Sequence, residues 1–200
     1  MYILAISPHT DDVELGCGGS LVRLHADGHQ VKVWAFGYGN PRNGAHKQEF
    51  LDSMSTLGVY DFRDHNFDCR VYGERRQDIL QLMVHERQNK EPDIVFVPST
   101  ANVHQDHEVV TAEALRAFKS SCILGYELPW GDHKQAHLPF YMKLSAGELI
   151  KKCEAVACYK SQEARGYTDE GFLYSLATVR GAQTGRSKFA EAFEVLRWVW

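Results

Sequence analysis

Apolar residues in this chain come in short solid blocks separated by longer mixed stretches. Tyr2-Ile3-Leu4-Ala5-Ile6 runs unbroken to Ser7-Pro8, the pattern of a strand buried on both faces. Val31-Lys32-Val33-Trp34-Ala35-Phe36 predicts a second strand, and Asp93-Ile94-Val95-Phe96-Val97-Pro98, entered after Pro92, a third. Between them the apolar spacing changes to the helical period. Ser20 to Ala26 predicts a helix ending at Gly28, Lys47 to Leu57 one ending at Gly58, and residues 76–89 another, with Ile79, Leu80, Leu82 and Met83 apolar. His107 to Phe118 predicts the helix that follows the third strand. Gly16, Gly18 and Gly19 read as a tight turn before the first helix. Strands alternating with helices imply right-handed crossovers, a parallel sheet covered on both faces, and ligands bound beyond the carboxyl ends of the strands.

Composition narrows the class without changing this picture. At 200 residues, 44% apolar and 24% charged, the chain suits one soluble α/β domain spanning residues 1–200, with no repeat or linker to divide it. A net charge of -4 gives no general basic surface for nucleic acid or anionic lipid. Cys17, Cys69, Cys122, Cys153 and Cys158 are odd in number and form no C-x-x-C pair, which suits a reducing compartment. No apolar run reaches the ~20 residues of a membrane helix, and the start lacks the marks of a signal peptide. The expectation is a cytoplasmic protein without nucleic-acid or membrane partners.

Two polar clusters sit at predicted strand ends. The first is Ser7-Pro8-His9-Thr10-Asp11-Asp12-Val13-Glu14-Leu15-Gly16-Cys17-Gly18-Gly19, and the second is Asn102-Val103-His104-Gln105-Asp106-His107. Adjacent ionised carboxylates at the end of a buried strand are costly unless a cation or hydrogen bonds compensate them. Two histidines with one carboxylate and an open fourth position make a catalytic zinc pattern. If Asp12 holds such an ion, Asp11 stands beside the water it would acidify, where a general base is needed. His104 could then protonate a leaving group or steady an oxyanion, with Asp106 orienting it through its other ring nitrogen. An Asp-Asp pair after a strand also fits a helix N-cap, and histidines before a helix also fit a solvated surface. The glycines do not make a G-x-G-x-x-G fingerprint.

"PHTDDVELGCGG" together with "HQDH" resembles the LmbE-like, or PIG-L, family of zinc-dependent N-deacetylases, whose signature is His-Pro-Asp-Asp and later His-Pro-Asp-His. Weaker similarities lie in Glu49 to Val59, Asp68, Ser161-Gln162, Arg180-Gly181 and Ala190-Glu191-Ala192-Phe193. The resemblance implies a Rossmann-like three-layer α/β sandwich with a mostly parallel central sheet. By position it makes His9, Asp12 and His107 ligands of Zn2+, or of another divalent metal. Asp11 becomes the general base, His104 the acid or oxyanion stabiliser, and Asp106 its orienting partner. It further implies removal of the acetyl group from N-acetylglucosamine conjugates or related amino sugars, and assembly as trimers or hexamers.

Thr10 and Gln105 replace the motif prolines, Glu14 is displaced one position by Val13, and His46 stands where the family has a sugar-binding arginine, with Arg42 nearby. That last departure points away from glucosaminyl-inositol and glucosaminyl-malate and toward a different amino sugar or N-acyl intermediate. His46, Asp68 and Glu127 are the candidate substrate residues. Trp130 could stack on a sugar or anchor its loop; Cys17 reads as packing, and Trp198 and Trp200 as docking residues. Two other functions use the same residues: a 2-His-1-carboxylate iron enzyme, and a carbohydrate-binding protein without catalysis.

Overall fold

The first strand, β1 (Tyr2–His9), is buried along almost its whole length, and its side chains alternate between two cores. Ile3 and Ala5 face one side of the sheet, while Leu4 and Ile6 face the other. A computed structural model describes residues 1–38, 45–134 and 136–199. After β1 come α1 (Asp12–Ala26), β2 (Gln30–Gly37), α2 (Ala45–Leu57) and β3 (Asp61–Asp64). Next are a 3-10 turn (Tyr72–Arg75), α3 (Arg76–Asn89), β4 (Ile94–Pro98), α4 (Gln105–Ala117) and β5 (Cys122–Tyr126). The chain closes with β6 (Phe140–Leu144), α5 (Ala146–Val156), α6 (Glu170–Gln183) and β7 (Phe189–Arg197).

The sheet runs β3-β2-β1-β4-β5-β7-β6. β1 to β5 are mutually parallel, and β7 alone reverses, pairing antiparallel with both β5 and β6. The first core lies beneath α1, α2 and α5, and the second beneath α3 and α4, giving the expected three layers. Chain order reverses between β1 and β4, so the strand-end crevice opens between them. His9 ends β1 and Pro98 ends β4, which brings both polar clusters to that crevice.

The glycine segment is a correction to the predicted turn. α1 starts at Asp12, eight residues before Ser20, and Gly16, Gly18 and Gly19 lie inside it with a kink at Cys17 (φ -144°, ψ 15°). A Cβ on Gly16 would stand 2.2 Å from Tyr126 Cδ2, and one on Gly19 would stand 2.6 Å from Leu144 Cδ1. These glycines let α1 settle closely on the sheet, and that packing overrides their poor helix propensity. Cys17 is buried in the same core, as expected of a packing residue.

The kink leaves backbone donors that need acceptors, and β7 supplies one. Glu191 accepts from Gly19 N at 3.1 Å, Ser20 N at 2.7 Å and Ser20 Oγ at 2.5 Å, and pairs with Lys152 Nζ of α5 at 2.6 Å. Both charged side chains are 5% exposed. Removing one partner of such a pair strands the other. Lys152→Met is therefore expected to lower the unfolding free energy by about 3–5 kcal/mol in urea titrations. A loss below about 1 kcal/mol would show that the pair does not anchor α5 to β7.

Candidate metal centre and active site

The site is built from three backbone exits: the end of β1, the start of α1 and the start of α4. Asp11 occupies the N-cap position of α1, yet its side chain makes no capping bond; Ser7 Oγ accepts from Val13 N at 3.2 Å instead. The capping reading of the Asp-Asp pair therefore does not describe Asp11. Asp12 turns back, its Oδ2 accepting from His9 N at 2.8 Å.

Three donor atoms converge there. His9 Nδ1 lies 3.3 Å from Asp12 Oδ2, His107 Nε2 lies 3.2 Å from that oxygen, and the two ring nitrogens are 3.2 Å apart. Tetrahedral ligands at ~2.0–2.1 Å from an ion stand about 3.3 Å from one another, so this triangle fits a divalent cation. His9 Nε2 meets Asp106 Oδ2 at 3.0 Å, which places the ring proton on Nε2 and turns the Nδ1 lone pair into the triangle. Burial alone would raise Asp12, but the adjacent His107 and His9 outweigh it and hold the carboxyl far below the usual range. His107 Nδ1 is buried without a hydrogen-bond partner among the described residues.

His104 lies within 4.8 Å of His9 and His107, so three histidines form a competing ligand set. His104 Nδ1, however, accepts the Asp106 backbone N–H at 3.2 Å, capping α4 and leaving the proton on Nε2. Burial first, then His107 and His9, hold its pKa down to about 4, so the ring is a neutral donor at ordinary pH. Asp12, by contrast, carries a negative charge that calls for a cation. Asp11 sits beside this triangle with its pKa pushed up to about 6, by burial and then by the charge of Asp12, against opposition from His9 and Arg165.

Asp106 meets both histidines. Its carboxylate bonds His9 Nε2, Arg70 N at 2.6 Å and Tyr72 N at 3.4 Å, while its backbone N–H, rather than its carboxylate, meets His104 Nδ1. The alternation H-x-D suggested a neighbouring partner, whereas the start of α4 turns Asp106 inward to the β1 end. Cys69 Sγ lies within 4.8 Å of the His9 and Asp106 ligand atoms, a neighbour that no sequence pattern announced.

The three candidate substrate residues lie in different settings. His46 is buried, its Nδ1 3.2 Å from Ser161 Oγ and 3.7 Å from Glu49. Glu49 also accepts from Ser161 N at 2.8 Å and Ser161 Oγ at 2.6 Å, so His46 belongs to a clasp joining α2 to the segment before α6. Glu127 is paired with Arg180, whose Nε donates to Oε2 at 2.8 Å. Asp68 is exposed in the turn preceding Cys69. Trp130 stacks on Tyr167, ring centroids 4.0 Å apart and planes 13° apart, and Trp198 is 50% exposed near Phe140. Arg42 and Trp200 lie outside the described residues.

Glu14 is fully buried behind the site and accepts from Ser53 Oγ at 2.8 Å and Tyr159 Oη at 2.6 Å. Tyr159 also bonds the Thr10 carbonyl, and its single hydroxyl proton cannot serve both acceptors. A proton on Glu14 resolves this, and burial pushes its pKa up to about 8. The folded state thus retains a proton that the unfolded chain releases above about pH 4.5. The stabilisation is full below that pH and lost as pH rises through about 8. Glu14→Gln should flatten the fall in stability between those limits, on the order of 5 kcal/mol in the wild type. Denaturation midpoints across that range would show an unchanged slope if Glu14 were not its source.

Residues 4–118 match the family described as PIG-L: GlcNAc-PI de-N-acetylase. The chain is 32% identical over 137 residues to the uncharacterized deacetylase YaiS of Escherichia coli K12, covering 64% of this chain and 74% of that protein. N,N'-diacetylchitobiose deacetylase from Pyrococcus horikoshii superposes with a TM-score of 0.76 at 20% identity, over 98% of this chain and 83% of that one. GalB, the 4-carboxy-2-hydroxymuconate hydratase of Pseudomonas putida KT2440, superposes at 0.82 with 16% identity, over 100% and 97%. At such identities the last two likenesses speak for the fold alone. By its sequence match over more than half its length, the chain belongs to the PIG-L family of de-N-acetylases.

Proposed function

We propose that the protein is a zinc-dependent amidohydrolase that removes an acetyl or small acyl group from an N-acetylated amino sugar or related conjugate. One observation carries this reading: a three-donor triangle of 3.2–3.3 Å edges, flanked by a carboxylate that caps nothing and a histidine held neutral. His9, Asp12 and His107 would hold the ion. When bound, it would polarise the scissile carbonyl and make a water acidic near neutral pH.

The chain's own groups do the rest. Asp11 takes a proton from the attacking water as oxygen adds to the acyl carbon. His104, its Nδ1 engaged by the Asp106 N–H, presents Nε2–H to the carbonyl oxygen as negative charge builds there. The proton taken by Asp11 then passes to the departing nitrogen, the C–N bond breaks, and the acid and amine leave, the acid's remaining proton passing to the amine to give carboxylate and ammonium. Asp106 keeps the His9 ring in the tautomer that faces the triangle.

Family membership supports hydrolysis, and the GalB likeness shows that the fold itself does not dictate the reaction. The donor set also suits Fe(II). A liberated-amine screen of N-acetylated sugars and conjugates, run with zinc-loaded protein beside an oxygen electrode, tests the proposal. Amine release without oxygen uptake is expected; oxygen consumption coupled to product would replace hydrolysis with the iron chemistry.

A further inference from the structure

The crevice has a rim built from two distant parts of the chain. On one side, the loop carrying Trp130 is zipped to the loop carrying His104. Val103 N donates to Gly131 O at 3.0 Å, and Asn102 Nδ2 donates to Asp132 Oδ1 at 2.9 Å. On the other side, Tyr159 bonds the Thr10 carbonyl, tying the segment before α6 to the turn that carries Asp11. The Trp130–Tyr167 stack joins the two sides. Stacked on each other, these rings cannot sandwich a sugar between them.

Arg165 hangs from this bridge. Its backbone is fixed: its N–H donates to Gln162 O at 2.9 Å, and its carbonyl accepts from Thr168 Oγ1 at 2.7 Å. Its guanidinium donates to Tyr167 Oη and sits 5.7 Å from the Tyr167 ring centroid. The side chain is exposed and has no salt-bridge partner among the described residues. The charges of Asp11 and Asp12 reach it, after the larger influence of Tyr167. Of five N–H donors, Tyr167 takes one, so most of a preorganised fork of donors is left for an anion. An aromatic hydroxyl brings no negative charge, and the bond to it orients the cation without neutralising it.

We infer that Arg165, held by Tyr167 against the Trp130 stack, is a specificity-determining residue that binds an anionic group, so the preferred substrate carries a carboxylate or phosphate near its N-acyl group. The inference rests on the deacetylase reading for the word substrate, while anion recognition itself is testable without turnover. Guanidinium matches both oxyanions through paired hydrogen bonds. It would supply the charge-based grip that His46, enclosed in its clasp, does not offer.

The test is calorimetric binding of glucosamine, glucosamine 1-phosphate, glucosamine 6-phosphate and muramic acid to zinc-loaded protein, Arg165→Gln and Arg165→Lys. The wild type should bind at least one anionic amine roughly 10- to 100-fold more tightly than glucosamine. The phosphate and carboxylate arms identify which oxyanion is read. Arg165→Gln should bring that preference to within about twofold, and Arg165→Lys should retain part of it. A wild type without preference, or a preference surviving in Arg165→Gln, overturns the inference. Hydrolysis of the matching N-acetyl compounds separates the two readings. Arg165-dependent binding without hydrolysis of any N-acetylated compound upholds the anion site and overturns the deacetylase reading; hydrolysis without anion preference does the reverse.

Discussion

Asp11→Asn is expected to lower turnover by ~10²–10⁴-fold while leaving the metal content of the protein unchanged. The substitution keeps the size and shape of the side chain and removes its ability to accept a proton. No helix-capping bond is lost with it, because Ser7, rather than Asp11, caps the first turn of α1. Asp11 is also not a corner of the donor triangle, so the ion should remain. Its pKa of about 6, set by burial and the charge of Asp12, lies close to where a base working near neutrality is most effective. Steady-state kinetics together with elemental analysis check both halves. Wild-type turnover in the variant would remove Asp11 from the chemistry, and loss of metal would move it into the ligand set.

His107→Ala should have the opposite signature: metal is lost first, and activity only in consequence. Losing one of three donors should weaken binding by more than ~100-fold, beyond the usual cost of disturbing an outer partner. The stabilisation conferred by the ion should vanish with it, about 2.7 kcal/mol for a site loaded at 100 times its dissociation constant. Asp12→Asn should behave in the same way, since His9 Nδ1 and His107 Nε2 both face Asp12 Oδ2. His104→Ala, by contrast, should keep its metal and lose turnover, because the Nδ1 of that ring is already committed to the Asp106 N–H. Thermal melts with and without added zinc, paired with elemental analysis, distinguish this set from the three-histidine alternative. Retention of metal by Asp12→Asn with its loss from His104→Ala would establish the latter.

Much of this arrangement is legible in the residues. Two unbroken apolar blocks, Tyr2 to Ile6 and Ile94 to Val97, announce strands buried on both faces, and polar clusters at their ends point to one crevice. The start of α1 is not legible, since glycine at three positions argues against a helix until Tyr126 and Leu144 are seen resting on two of them. The last third of the sheet is equally hidden. β7 contains Glu191 and Glu194, which by pattern belong on a surface, yet Glu191 is buried against Lys152 and Glu194 accepts from Ser99 Oγ and Thr100 N. Partners 39 to 95 residues away give no local signal.

The site itself divides along the same line. His9, Asp12 and His107 are readable because ligand chemistry restricts residue type at each position. Asp106 bonds His9 across 97 residues, and His46 is drawn to Ser161 across 115, so adjacency in sequence announces neither contact. Arg165 follows no motif, and it draws notice only when Tyr167 is seen to hold its guanidinium and to stack on Trp130, whose loop is bound to that of His104.

The most direct test of the central claim is an assay of acetate and free amine from a panel of N-acetylated sugars, run on zinc-loaded wild type and Asp11→Asn. The account predicts equimolar acetate and amine from the wild type on at least one member of the panel, and a rate lower by ~10²-fold or more from the variant at equal zinc content. Absence of acetate from the wild type across the whole panel, or release undiminished in Asp11→Asn, would contradict it.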